Sequence, residues 1–191
     1  MALKDDIVTF LRTNASIDKI NFSFGKFKVY PSAYKKDVAD AVDSGEIKVR
    51  AKGTVSPAVG ASYDMSYDSF ELSPAFVITT VRNQGFLVHE STHAHLDIQS
   101  LGSHSGHENE AVAYLAEAVF LEAAGAPPLG SEAIRVESHR IARIVLAGTY
   151  SVPPADASAL VLEVAKDPHY ASTAVYNSNG FKRSFIHKLL R

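Results

Sequence analysis

The order of apolar and polar residues predicts short helices and strands in the first part of the chain. Apolar residues recur at helical spacing over residues 3–13, which predicts an amphipathic helix. Residues 20–30 alternate between apolar and polar side chains, as expected of one half-buried strand. Pro31 is typical of a helix start and predicts a helix that ends at about Val42. Further strands are predicted at residues 47–51 and, as a pair, within residues 61–72.

The pattern changes to that of helices after residue 73. The apolar residues of 75–101 have helical spacing. The candidate position for a break in this helix is residues 83–85, Asn-Gln-Gly. A polar loop at residues 102–107 follows. Further helices are predicted at residues 108–124, 131–147, 155–166 and 181–190.

Strands followed by helices in one chain of 191 residues predict a single α+β domain over residues 1–191. A small mixed sheet is expected in residues 1–73, and a mainly helical part in residues 74–191. The hydrophobic fraction of 46% and the charged fraction of 21% are ordinary for a globular protein with a sizeable core.

Charge and composition limit the partners that the chain is expected to have. A formal net charge of −2 gives no electrostatic reason to expect nucleic acid or an anionic membrane as a partner. The first residues lack the pattern of a signal peptide, so a cytoplasmic location is the expectation, with export by a dedicated route left open. Cysteine is absent, so a metal site in this chain would have to use histidines and carboxylates.

One short run carries the clearest chemical signal. His89-Glu90-Ser91-Thr92-His93 places two histidines four residues apart, and on a helix such residues project from the same face. Two imidazoles can then reach one zinc ion, while Glu90 lies beside the metal and is placed to take a proton from water. The alternative is a helix whose two histidines are satisfied by hydrogen bonds in the core.

A hydrolytic zinc site usually needs a third protein ligand and one open position. The compact pattern with a third histidine six residues after His93 fails, because that residue is Gln99. A predicted helix with many alanines begins soon after and could pack closely against the first, bringing a carboxylate to the metal. Glu110 is the preferred ligand, with Glu108 and Glu117 as the alternatives.

The motif His89-Glu90-Ser-Thr-His93, followed by Asn109-Glu110-Ala111, resembles the gluzincin group of zinc metallopeptidases, which includes the thermolysin-like enzymes. The resemblance covers about residues 86–120. It implies a zincin-like fold with two ligand-bearing helices, zinc held by His89, His93 and Glu110, and Glu90 as the general base. Tyr114 stands where those enzymes usually carry an aspartate that supports the first histidine.

The same resemblance implies a strand that borders the cleft and pairs with an extended peptide, for which residues 61–72 are the candidate.

Peptide hydrolysis also needs a donor for the developing oxyanion. His139, on a predicted helix, and Tyr150, just after it, are the candidates, and Tyr114 is a third. Asp97 lies four residues after His93, where it would either hold a ligand imidazole or be a solvated charge.

These features predict a zinc metallopeptidase that acts on a peptide or protein substrate. One alternative keeps the metal but changes the substrate: a zinc-dependent amidase or hydrolase of small molecules or cell-wall peptides. The other is a binding module of the same fold without catalysis.

Overall fold

The computed structural model describes residues 3–56, 58, 60–170 and 176–177. The helix predicted at residues 181–190 lies outside this part of the chain. The helices are α1 Leu3–Thr13, α2 Ala39–Ser44, α3 Val81–Ile98, α4 Gly106–Ala123, α5 Ala133–Leu146 and α6 Pro154–Lys166. The strands are β1 Phe22–Phe24, β2 Phe27–Val29, β3 Lys48–Ala51, β4 Ala61–Asp64, β5 Ser69–Leu72, β6 Ser103–His104 and β7 Tyr176–Asn177. The predicted α+β class is therefore confirmed.

The prediction of one strand over residues 20–30 is wrong. The chain forms a hairpin in which β1 and β2 run antiparallel and pair Phe24 with Phe27. Gly25 makes the tight connection possible because its φ of +56° lies in the left-handed region, where glycine has no steric penalty. The alternation of buried and exposed residues continues on both sides of the turn, so the sequence pattern resembles that of one longer strand.

A three-stranded mixed sheet has the order β3-β5-β4. β3 is parallel to the central strand β5, and β4 is antiparallel to it. The strands predicted at residues 47–51 and within 61–72 are confirmed, as is the mixed character of the sheet. β4 forms one edge of this sheet and lies against α3.

Residues 31–44 are helical, as predicted, but include a π-helix, Ala33–Val38, that continues into α2. Gly45 ends this segment with a φ of +80°. The Tyr34 side chain is fully buried, and its hydroxyl lies 2.8 Å from Thr92 Oγ1 on α3. This contact joins the N-terminal part to the helix that carries the His-Glu run.

The helix predicted from residue 75 begins later, at Val81. Thr80 adopts extended backbone angles and its side chain accepts a hydrogen bond from the Asn83 N–H at 3.3 Å, which is the geometry of an N-cap. No break occurs at residues 83–85. Gly85 stays helical, and a Cβ there would lie 3.3 Å from methyl carbons of Leu121 and Leu129, so α3 packs closely against its neighbours at this point.

One hydrophobic core extends from Ile7 on α1 to Val164 on α6. α3 and α4 pack against each other inside it, and α5 covers the other side of α4. Within the described residues, no helix is long and apolar enough to cross a membrane.

Candidate metal centre

Helix α3 places His89 and His93 side by side. Both side chains are buried, and their ring centroids lie 4.9 Å apart. This is the result expected of residues one helical turn apart on the same face. The two imidazoles therefore point together toward the neighbouring helix, α4.

Helix α4 brings Glu110 to both imidazoles. Its Oε2 lies 3.4 Å from His89 Nε2 and 3.6 Å from His93 Nε2. Two ligand atoms that are each about 2.1 Å from a tetrahedral zinc ion are about 3.4 Å apart. These three side chains form the one group among the described residues that is arranged to hold a metal ion. The donor set fits zinc, with His89, His93 and Glu110 as the residues that would hold it.

The other two glutamates considered as ligands lie elsewhere. Glu108 is in the first turn of α4 and lines a different cavity, beside α6. Glu117 lies on the opposite side of the His89 ring, with its Oε2 3.5 Å from Nδ1 rather than near Nε2. Of the three carboxylates, only Glu110 therefore faces the Nε2 atoms of both histidines.

A chain of hydrogen bonds determines which nitrogen His93 presents. His93 Nδ1 is bonded to Asn109 Oδ1, and because an amide oxygen only accepts, Nδ1 carries the proton. Asn109 Nδ2 donates to His104 Nε2 at 2.7 Å, and His104 Nδ1 donates to the Gly102 carbonyl at 3.0 Å. The lone pair of His93 is consequently on Nε2, the atom that faces Glu110. His104 is buried in β6 rather than in the polar loop predicted at residues 102–107.

His89 has a different neighbour at its second nitrogen. Glu117 is 2% exposed and is held by an ion pair between its Oε1 and Arg135 Nη1 on α5. Its other oxygen faces His89 Nδ1, which makes no closer hydrogen bond within the described part of the chain. The carboxylate that supports the first histidine thus comes from Glu117, one helical turn beyond Tyr114.

Glu90 lies beside the imidazoles and is fixed by the sheet. Its Oε2 accepts a hydrogen bond of 2.7 Å from the backbone N–H of Tyr63 on β4. Burial raises the pKa of Glu90 above its ordinary value, although the neighbouring histidines His89 and His93 act in the opposite direction. A carboxylate with a raised pKa binds a proton more readily, as a general base must.

The charges of the cluster shift the pKa values of its members strongly. Burial alone would lower the pKa of His89, but the carboxylates of Glu110 and Glu117 outweigh it and raise that pKa. The pKa of His93 is raised against its own burial by Glu110. The pKa of Glu110 is held below its usual range despite burial, chiefly by positive charge on His93. Without a metal, protons on the imidazoles thus supply the positive charge that Glu110 favours.

His89 and Glu90 are among the residues that line a cleft of about 270 Å³, together with Glu117 and Arg135. Tyr114 and Tyr170 lie in its wall, with their hydroxyl oxygens 2.8 Å apart. The Tyr114 ring packs edge-on against His89 at a centroid distance of 4.7 Å. Burial raises the pKa of Tyr170, and the charges of Glu110 and Glu90 raise it further, so this hydroxyl keeps its proton beside the metal-binding face.

Comparison with family models, curated proteins and solved structures finds no match.

Two residues predicted to act in the site lie outside the cleft. His139 is buried on α5 and its Nδ1 lies 2.9 Å from Glu122 Oε1. Tyr150 follows α5 and is 61% exposed. Neither is among the residues that line the cleft. Tyr114, the third candidate, does line it.

Asp97 is not a solvated charge. It is fully buried at the far end of α3, and its Oδ2 accepts a hydrogen bond from the Tyr63 hydroxyl at 3.2 Å. The residue therefore ties α3 to β4, on the same strand whose backbone holds Glu90.

The contacts of Arg135, Tyr170 and Asn109 at the centre were not predicted from the sequence. Asn109 carried a signal, because it directly precedes Glu110 and a helix start places it near the same imidazoles. Arg135 and Tyr170 carried none. They reach the cleft from α5 and from a short turn after α6, so only tertiary packing brings them there.

Proposed function

We propose that the chain is a zinc-dependent metallopeptidase whose metal ligands are His89, His93 and Glu110. The observation that carries the proposal is the convergence of two Nε2 atoms on one carboxylate oxygen at the edge length of a tetrahedral zinc site. Glu90 beside them supports a hydrolytic role, because a purely structural zinc normally has four protein ligands and needs no base.

Zinc in such a site supplies a Lewis acid that makes water a better nucleophile and polarises the carbonyl under attack. Glu90 accepts the proton of the attacking water. Its Oε2 is occupied by the Tyr63 N–H, which leaves Oε1 to receive that proton. The same carboxyl then donates the proton to the leaving amine.

The oxyanion that develops during attack needs a hydrogen-bond donor in the cleft. Tyr170 is the proposed donor, and Tyr114 is the residue that orients it through the contact between their hydroxyls. Both hydroxyls are held at the wall of the cleft before substrate arrives, so little reorganisation is needed when charge develops.

The edge of β4 supports a peptide as the substrate. In an antiparallel pair, the backbone N–H and C=O groups of successive residues point alternately toward the partner strand and away from it. The Ser73 N–H donates to the Gly60 carbonyl, so the backbone groups of Ala61 and Tyr63 face away from β5. The Tyr63 N–H reaches Glu90 on that side, which places the outward-facing edge next to the catalytic groups. An extended peptide bound along this edge would present its carbonyl groups to the cleft.

A second candidate function is a zinc-dependent amidase that acts on small molecules or short cell-wall peptides. The observation behind it is the cleft volume of about 270 Å³, which is close to the lower end, about 300 Å³, of sites that bind small molecules. Parallel assays with folded proteins, short unstructured peptides and small amides separate the two functions by the substrate that is cleaved.

The proposal is tested with purified protein and the variant Glu90→Gln. Wild type is expected to bind one zinc ion per chain, measured by elemental analysis, and to hydrolyse peptides from a mixed fluorogenic library. Glu90→Gln should keep the zinc and lose hydrolysis, because the amide cannot accept the proton. A wild-type chain that takes up no zinc, or a variant that cleaves as fast as wild type, would contradict the proposal.

A further inference from the structure

We propose that Arg135 is a positioning residue of the metal centre, which acts by fixing the Glu117 carboxylate that orients His89. The inference rests on the proposed zinc site, and it adds a residue from α5, a helix that contributes no ligand. It assigns a role to the buried ion pair of Arg135 and Glu117. Neither the His89–His93 motif nor the proposed hydrolysis requires this ion pair.

Glu117 needs a partner because it is a buried carboxylate. A charge removed from water is costly unless it is paired and hydrogen-bonded. Arg135 supplies that partner at Oε1, and its own side chain is also largely buried. The planar guanidinium holds a carboxylate in a defined orientation better than an ammonium group does. Oε2 of Glu117 is therefore directed toward His89.

The direction of Oε2 decides which nitrogen of His89 is available. An anionic acceptor 3.5 Å from Nδ1 favours the proton on that nitrogen, and this leaves the lone pair on Nε2, which faces Glu110. His93 obtains the same result from a neutral amide, Asn109. The two histidines thus depend on different neighbours on α4. The neighbour of His89, Glu117, is in turn held by Arg135 on α5.

Arg135 reaches His89 by a second route. Its guanidinium lies over the Tyr114 ring, 5.2 Å from the centroid, and that ring packs edge-on against His89. A cation over an aromatic face is favourable and restricts the ring. Loss of Arg135 would consequently release both the carboxylate and the ring that confine the imidazole.

The test measures zinc affinity, so it does not depend on hydrolysis. Glu117→Gln and Arg135→Met are each expected to raise the zinc dissociation constant about 10- to 100-fold, the range typical of outer partners of ligand histidines. The double variant should lose less zinc affinity than the product of the two single losses, because Arg135 acts in part through Glu117. Arg135→Lys, which keeps the charge, should lose less affinity than Arg135→Met. Competition with a chelator gives the constants, and the visible spectrum of the cobalt-substituted protein reports the ligand geometry.

The matched control is Arg140→Met. Arg140 lies on the same helix and also contacts two carboxylates, Glu137 at 2.7 Å and Asp156 at 2.5 Å, but it lies outside the cleft. Its variant should keep the zinc affinity and cobalt spectrum of wild type. Thermal unfolding of the metal-free proteins shows whether each variant is folded.

Two results would overturn the inference while leaving the zinc site intact: wild-type zinc affinity in both Glu117→Gln and Arg135→Met, or losses that multiply in the double variant. A different result would reject the zinc site itself. If His89→Ala binds zinc as wild type does, the proposed ligands are wrong and the role of Arg135 falls with them.

Discussion

At the scale of single residues, each ligand histidine presents one nitrogen because a neighbour takes the other. Asn109 Oδ1 accepts a hydrogen bond from His93 Nδ1, while the Glu117 carboxylate faces His89 Nδ1. The Nε2 atoms of both rings then face the same Glu110 oxygen. Identical side chains thus acquire the same orientation through an amide in one case and an ion pair in the other.

The Tyr170 hydroxyl leads to a prediction at this scale. Tyr170→Phe should lower kcat about 10²- to 10³-fold, the usual cost of losing one donor to the oxyanion, since the donor acts in the transition state. Zinc content and KM should change little. Steady-state kinetics on a peptide substrate, with elemental analysis of the same sample, provide the measurement.

Tyr150→Phe is the matched control for that experiment. Tyr150 is exposed and lies outside the cleft, so removal of its hydroxyl should leave kcat as in wild type. A loss of activity in Tyr150→Phe, with none in Tyr170→Phe, would return the donor role to the residue that the sequence suggested.

At the scale of elements, the centre depends on two helices that begin at defined points. α3 begins after an N-cap at Thr80, and α4 begins at Gly106, three residues before Asn109. The relative depth of α3 and α4, set by their packing, decides whether Glu110 meets both imidazoles.

The N-cap of α3 gives a prediction about stability. Thr80→Ala should lower the free energy of unfolding by about 1 kcal/mol, because the Asn83 N–H loses its acceptor. Thr80→Ser retains a hydroxyl oxygen and should stay within a few tenths of wild type, on the order of the differences among good caps. Urea denaturation of the metal-free proteins measures both. Equal stability of the alanine and serine variants would argue that the cap contributes nothing.

The sequence predicted the local parts of the centre well. The four-residue spacing of His89 and His93 fixes their common face through helix geometry alone, and the alanine-rich helix correctly indicated where Glu110 would come from. The hairpin at residues 22–29 was missed because its alternation continues across the turn at Gly25. Such local errors leave the site unchanged.

Contacts between elements that are distant in the chain could not be predicted from the spacing of residues along it. His139 and Tyr150 were chosen for their chemistry, and both lie on or after α5 as expected, but the rotation of α5 in the fold turns Arg135 toward the cleft instead. Helical periodicity shows which residues share a face. It does not show which of the possible neighbours that face will meet.

At the scale of the whole molecule, the metal would join two helices that already form the centre of the core. α3 contributes His89 and His93, α4 contributes Glu110, and their interface lies inside the single hydrophobic cluster. An ion bound there would connect the part of the chain before β6 to the part after it. Zinc binding is therefore expected to stabilise the fold as a unit and not only the site.

Removal of zinc provides the prediction at this scale. A ligand that binds only the folded state at about 1,000 times its dissociation constant adds about 4 kcal/mol to stability. For a chain of 191 residues, this corresponds to a rise in Tm of about 10 °C. Scanning calorimetry of wild type with zinc and with a chelator should show that difference. Glu110→Ala should unfold at nearly the same temperature in both conditions. Glu108→Ala, which alters a glutamate two residues earlier on the same helix, should behave like wild type. A zinc-dependent rise in Glu110→Ala equal to that of wild type would show that α4 does not hold the ion.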